Sequence, residues 1–96
     1  MKVKILDEAE QDLFDGYRFY EAQGPGLGDY FLDTLFADID SLRLYAGIHA
    51  QHFGCHRLLS RRFPFAVYYR VEDGVTLVRA VLDCRRDPES TKNRLI

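Results

Sequence analysis

Arginine carries most of the chemistry this sequence can offer. Residues 49–96 hold nine Lys/Arg against five Asp/Glu, and eight of the nine are Arg, whereas residues 1–48 hold four against ten. A planar guanidinium grips carboxylate or phosphate through two parallel hydrogen bonds, so the excess points to an anionic partner. Arg57, Arg61, Arg70, Arg79, Arg85 and Arg86, with Tyr68 among them, are the candidate binding residues. Cations would hold the anion and the tyrosine could stack a base. The plainer alternative is a solvated sheet face whose arginine stems cover apolar neighbours.

Other reactive side chains form weaker patterns. His49, His52, Cys55 and His56 are close enough in sequence to bind zinc if all four converged, but helical geometry would align only the histidines. Gly47 and Gly54 bracket the stretch, which therefore reads as a flexible connector with no metal assigned. Cys84 lies among Asp83, Arg85 and Arg86, whose charge would favour a thiolate. Nucleophilic catalysis also requires a base, and no histidine follows His56, so Cys84 reads as a spectator. Tyr17, Phe19, Tyr20, Phe31 and Phe36 read as core, and with no glycine-rich phosphate loop no cofactor is expected.

The elements that must position these groups follow from hydrophobic period. Val3 to Leu6 suits a short strand, and Asp7 with Glu10 three positions on reads as the cap of a helix. Ala9, Leu13, Tyr17 and Tyr20 recur at helical spacing until Gly24-Pro25-Gly26 ends the run. Gly16 inside this helix costs about 1 kcal/mol relative to alanine. Phe31, Leu32, Leu35, Phe36, Ile39 and Leu42 form a second apolar stripe, so the two helices make an antiparallel hairpin with an acidic outer face.

From His56 the period becomes two. A strand from Arg57 to Arg62 leads through Phe63-Pro64 into Phe65 to Glu72, and Asp73-Gly74 turns the chain into Val75 to Leu82. A two-residue turn at Asp73-Gly74 predicts Glu72 opposite Val75, Arg70 opposite Leu77, Tyr69 opposite Val78 and Tyr68 opposite Arg79. Phe65, Val67, Tyr69, Val71, Thr76, Val78, Ala80 and Leu82 would then pack under the helices. Ala66, Tyr68, Arg70, Leu77, Arg79 and Val81 would form an uncovered face, joined by Arg57, Leu59 and Arg61 if the preceding loop also has even length. Asp87-Pro88-Glu89 reads as the start of a short helix ending near Arg94. The expected fold is α+β: an N-terminal strand, a helical hairpin on one side of a mainly antiparallel sheet, and a short C-terminal helix.

Ninety-six residues with thirteen Phe and Tyr describe a single domain spanning 1–96, with no disulfide framework from two cysteines and no apolar run long enough to cross a membrane. The start turns acidic at Asp7-Glu8 before a signal region can form, so the expected location is cytoplasmic.

Several segments together resemble the RelE/ParE toxin superfamily, most closely its ParE-like, plasmid-stabilisation branch. They are Arg57-Leu58-Leu59, the run from Arg61-Arg62-Phe63-Pro64 through Phe65-Ala66-Val67-Tyr68-Tyr69-Arg70-Val71-Glu72, then Val78 to Leu82, and Arg85-Arg86-Asp87-Pro88. Ala9, Leu13, Tyr17, Tyr20, Gly28 and Phe31 sit where that superfamily places its helical hairpin. A tryptophan often seen there after Asp-Pro is absent, with Thr91 near that point.

The resemblance implies a type II toxin encoded beside an antitoxin that wraps it. RelE-like members cut messenger RNA on the ribosome, where a base, an acid and a cationic clamp assist attack of the 2′-OH on phosphate. Arg57, Arg70 and Arg79 could supply the clamp, but no base or acid accompanies them, so no catalytic residue is assigned. The preferred reading is therefore ParE-like, in which DNA gyrase is poisoned by binding alone. The alternatives are a ribosome-dependent endoribonuclease using Tyr68 or Tyr69, and an inactive scaffold that only binds a partner. The implied partners are an antitoxin whose acidic residues meet the arginines and DNA gyrase, or else the ribosome and its message. A homodimer or a heterotetramer with the antitoxin is compatible with the resemblance.

Overall fold

The computed structural model describes all residues from Met1 to Ile96. The chain runs β1 (Lys2–Ile5), α1 (Asp7–Glu21), α2 (Leu27–Asp40), α3 (Leu42–Tyr45), β2 (Gln51–His52), β3 (Cys55–Leu59), β4 (Phe65–Glu72), β5 (Val75–Asp83) and α4 (Pro88–Leu95). The strands form one sheet in the order β1-β5-β4-β3-β2, antiparallel except where β1 runs parallel to β5. The α+β architecture is the one the sequence predicts; Leu42, expected in the second helix, falls in a separate one-turn helix, and the stretch expected to be a flexible connector holds a two-residue edge strand.

Helix α1 begins one residue earlier than its acidic cap would require. Leu6 occupies the N-cap without a side-chain hydrogen bond, and Asp7 is already helical. Asp7, Glu8 and Glu10 instead lie in the first turn, where their charge complements the exposed N–H groups. At the other end of the chain Asp87 caps α4 as expected, accepting from the Glu89 N–H, with Pro88 in the first turn.

The helical hairpin closes through two reciprocal contacts that require glycine. A Cβ on Gly16 would lie 2.4 Å from Cζ of Phe31, and one on Gly28 would lie 2.7 Å from Cδ2 of Tyr17 and 2.9 Å from the Tyr17 carbonyl oxygen. Each helix thus offers a glycine to a ring of the other. Phe31 cannot retreat: it is fully buried, stacks on Tyr20 at 5.2 Å and meets Phe63 and Phe65 edge-on. Gly16→Ala gains roughly 1 kcal/mol in helix propensity but overpacks this cluster, so a net loss of about 1–2 kcal/mol is expected in urea unfolding.

Strand β4 and the turn end of β5 pair as predicted: Glu72 with Val75, Arg70 with Leu77 and Tyr69 with Val78. Beyond that a β-bulge intervenes, and Tyr68 pairs with Ala80 instead of Arg79. One extra residue flips every later side chain to the opposite face. Ala80 and Leu82 therefore leave the α1/α2 side, where the sequence places them, and Val81 joins it.

Strand β3 is also shorter than the expected Arg57 to Arg62, with Arg57 opposite Tyr68 and Leu59 opposite Ala66. This register differs by two residues from that of a Phe63-Pro64 loop, so the faces are preserved: Leu58 packs with the α1/α2 core, and Arg57 shares a face with Tyr68. Arg61 falls in the loop beyond the strand.

The helices do not all lie on one side. The larger core joins Ala9, Leu13, Phe31, Leu35 and Ile39 of the hairpin to Val67, Tyr69, Val78 and Val81. A smaller one joins Leu95 of α4 to Cys55, Ala66, Tyr68, Ala80 and Leu82. The arginine-bearing face expected to be bare is therefore partly roofed by α4, and the bulge at Arg79 supplies the apolar seat by turning Ala80 and Leu82 toward it.

Candidate functional site

The predicted binding residues divide among three places. Arg57, Tyr68, Arg70 and Arg79 share the α4 side of the sheet by strand register, Arg79 through alternation from Leu77. Arg86, half-buried at the approach to α4, donates to Ser90 Oγ and lies close enough to Tyr68 for its charge to act on the phenol. Arg61 is on the other side, in the loop lining a groove beside α2. Arg85 is exposed and bound to Asp83 at 2.7 Å, where its hydrogen bonds hold the Asp83 carboxyl below the usual carboxylate range.

Tyr68 is not the open stacking platform the sequence suggests. It is only 6% exposed beneath α4, and burial raises its phenol above the ordinary range against the opposing pull of Arg57 and Arg86. Arg57 and Arg70 instead flank the turn between β2 and β3. Nη1 of Arg57 lies 3.5 Å from Nε2 of His52, and Nη2 of Arg70 lies 3.7 Å from where a Cβ on Gly54 would stand. The Nε of Arg57 is buried without a partner, and neither arginine has a carboxylate in salt-bridge range. Half-buried guanidinium groups with no carboxylate beside them favour an anion arriving from outside.

His52, which sequence reasoning left in a connector, belongs to this side because it pairs with Cys55. The turn that places it is Phe53-Gly54, with both residues at positive φ. Glycine at the second position is the usual signal for such a turn, but phenylalanine at the first conceals it.

The histidine and cysteine cluster does not converge on a common point. Cys55 is fully buried on the α4 side, and no group of three metal-ligating side chains comes together. His49 and His56 lie on the opposite side, packed against the Tyr69 ring. The Gly47 N–H donates to the Tyr69 oxygen at 2.9 Å, the Tyr69 hydroxyl and Nδ1 of His49 share a hydrogen bond, and Nδ1–H of His56 donates to the His49 carbonyl at 2.7 Å.

Burial, helped by the nearby His56, lowers the His49 pKa below its ordinary 6.5 and so favours the neutral imidazole. A depressed histidine contributes stability that is complete above 6.5 and is lost as pH falls through the depressed value. Urea midpoints should therefore decline from pH 7.5 toward pH 5, and His49→Asn should flatten that decline.

Beside this network runs a groove of about 570 Å3 between α2 and β3. Its apolar lining includes Tyr45, Ile48 and Leu59, exposed at 54%, 73% and 55%. Asp38 lies on its helical wall with one buried carboxylate oxygen unpartnered, while Arg61 and Arg62 lie on the opposing loop.

Comparison with known proteins places these features. No curated protein matches the chain. Among solved structures it is similar to a chain from the "Chromosomal ParDE TA system from P. aeruginosa", with a TM-score of 0.77 and 22% identity over 84% of this chain and 92% of that one. That likeness is one of fold. The family described as "ParE toxin of type II toxin-antitoxin system, parDE" matches residues 3–88, from the first strand to the first residue of the last helix. By that match, which takes in both the groove and the arginine-bearing face, the chain belongs to the ParE toxin family of type II toxin–antitoxin systems.

Proposed function

We propose that this toxin inhibits growth by binding DNA gyrase and trapping it on DNA, without catalysing a reaction itself. The burial of Tyr68 under α4 carries the reading. A surface built to hold and cleave RNA needs rings that stack on bases and a pair of groups that move protons. Here the tyrosine on the arginine-bearing face is withdrawn from solvent, whereas the unpaired cations remain to meet an acidic protein surface.

The antitoxin, in this reading, lays an amphipathic segment in the groove beside α2. Its apolar side chains would cover Tyr45, Ile48 and Leu59, and acidic residues on it would meet Arg61 and Arg62. Incubating the purified toxin with gyrase and supercoiled DNA tests the proposal. Accumulation of cleaved, gyrase-linked DNA that antitoxin prevents is expected; unchanged supercoiling activity and no growth arrest would refute it.

One observation favours the second reading, ribosome-dependent cleavage of messenger RNA. His52 beside Arg57 puts an imidazole next to a cation on the face that an RNA clamp would use. Message cleavage in a translation extract, lost in both His52→Ala and Arg79→Ala, would promote it over gyrase poisoning. Tight antitoxin binding with neither activity would leave the inactive scaffold.

A further inference from the structure

Two hairpins of this sheet turn through the same backbone geometry with very different residues. Asp73-Gly74 has φ values of 51° and 76°, and Phe53-Gly54 has 53° and 79°. Both are two-residue loops with each residue in the left-handed region. Aspartate tolerates that region through its short polar side chain; for a bulky aromatic it is a real strain. Phe53 nonetheless stands there, held by the pairings of Gln51 with His56 and His52 with Cys55, and keeps 37% of its surface exposed. Strain maintained at an exposed position points to a function rather than to packing.

The surroundings of the turn indicate what Phe53 meets. His52 precedes it, Arg57 approaches His52, and Arg70 lies against Gly54. Arg18, Arg43, Arg85 and Arg94 each have a carboxylate partner; Arg57 and Arg70, like Arg61, Arg62, Arg79 and Arg86, have none, and they are the two beside this turn. An exposed aromatic in a turn whose neighbouring residues are approached by two unneutralised arginines has the composition of an interface hot spot.

We propose that Phe53 is the anchor through which the toxin engages its target, seated in an apolar socket of an acidic protein surface whose carboxylates take Arg57 and Arg70. The inference rests on the reading that the toxin acts by binding a protein. Single-stranded nucleic acid is the less favoured occupant, because a strand stacks on successive rings and Tyr68 on this face is buried. The anchor and the groove beside α2 are then separate surfaces, one for the target and one for the antitoxin.

Phe53→Asn tests this, since asparagine suits positive φ. The variant should melt at a higher temperature than the wild type, bind antitoxin unchanged, and need roughly tenfold or more expression to arrest growth. Phe53→Tyr should keep the arrest. Full toxicity in Phe53→Asn overturns the proposal, and so does a lower melting temperature, which would mean that the ring serves the fold. Binding of a single-stranded oligothymidylate by the wild type, lost in Phe53→Asn, overturns the protein socket. If the wild type arrests growth without trapping gyrase, the gyrase assignment falls, while the comparison of Phe53→Asn with Phe53→Tyr still decides the anchor.

Discussion

Replacing Asp12 with alanine is expected to remove about 3 kcal/mol of stability and to lower the melting temperature by roughly 15 °C. Strand β1 ends opposite Val78, so the outer edge of β5 beyond that point has no neighbouring strand. Asp12 of α1 covers it, accepting from the Val81 N–H at 3.0 Å and from both terminal nitrogens of Arg94 at 2.9 Å. The arginine comes from α4, on the opposite side of the sheet, so this carboxylate clamps the two helical layers around an open edge.

With side-chain exposures of 11% for Asp12 and 27% for Arg94, the pair is screened far less than a surface ion pair. Arg94→Ala should cost less, about 1–2 kcal/mol, because Asp12 retains the Val81 N–H. Glu8 will not compensate in the Asp12 variant, since it is 76% exposed and 3.4 Å from the guanidinium. Urea unfolding of both single variants and the double variant measures the coupling; additive losses would show that the clamp is not one unit.

Reversing charge on the face that carries Arg57 and Arg70 should have the largest functional effect. In Arg57→Glu/Arg70→Glu, two glutamates would confront the acidic partner proposed for this surface. Such like-charge contact costs several kcal/mol, so target affinity should fall roughly 100-fold or more. Growth arrest should vanish while antitoxin still binds. Arg61→Glu/Arg62→Glu should do the reverse, weakening the antitoxin and leaving the target affinity intact. Because the Nε of Arg57 is buried, Arg70→Glu alone, at a half-buried position, is the control against a folding defect. Equal losses of both affinities in both variants would contradict two separate surfaces.

Local rules make part of this arrangement legible. The helical hairpin follows from period and from the Gly24-Pro25-Gly26 break, the β4–β5 turn from Asp73-Gly74, and the start of α4 from Asp87-Pro88. Each depends on residues near one another in sequence. The rest depends on competition between distant groups. No glycine marks the bulge at Arg79, yet it decides which of Ala80, Val81 and Leu82 faces α4. The clamp joins Asp12 to Arg94 across 82 positions, a contact that no helical or strand period encodes.

Gly16 illustrates the same limit. Its propensity cost is readable from the sequence, but the Phe31 ring that requires it comes from the other helix. At the candidate site the arginines are legible by type, whereas their division is not. Arg61 leaves β3 because that strand ends at Leu59, and Arg85 is occupied by Asp83. Phe53 escapes notice because turn preferences describe what is comfortable, and a functional residue can be uncomfortable.

The central proposal is that the toxin acts by binding gyrase and cuts no RNA. Its most direct test is to induce the toxin without antitoxin and measure, in the same cells, covalent gyrase–DNA complexes and the 5′ ends of messenger RNA. The account predicts gyrase-linked DNA breaks that appear before growth stops, with messages intact. Messages newly cut within ribosome-bound codons, with no gyrase-linked breaks, would contradict it.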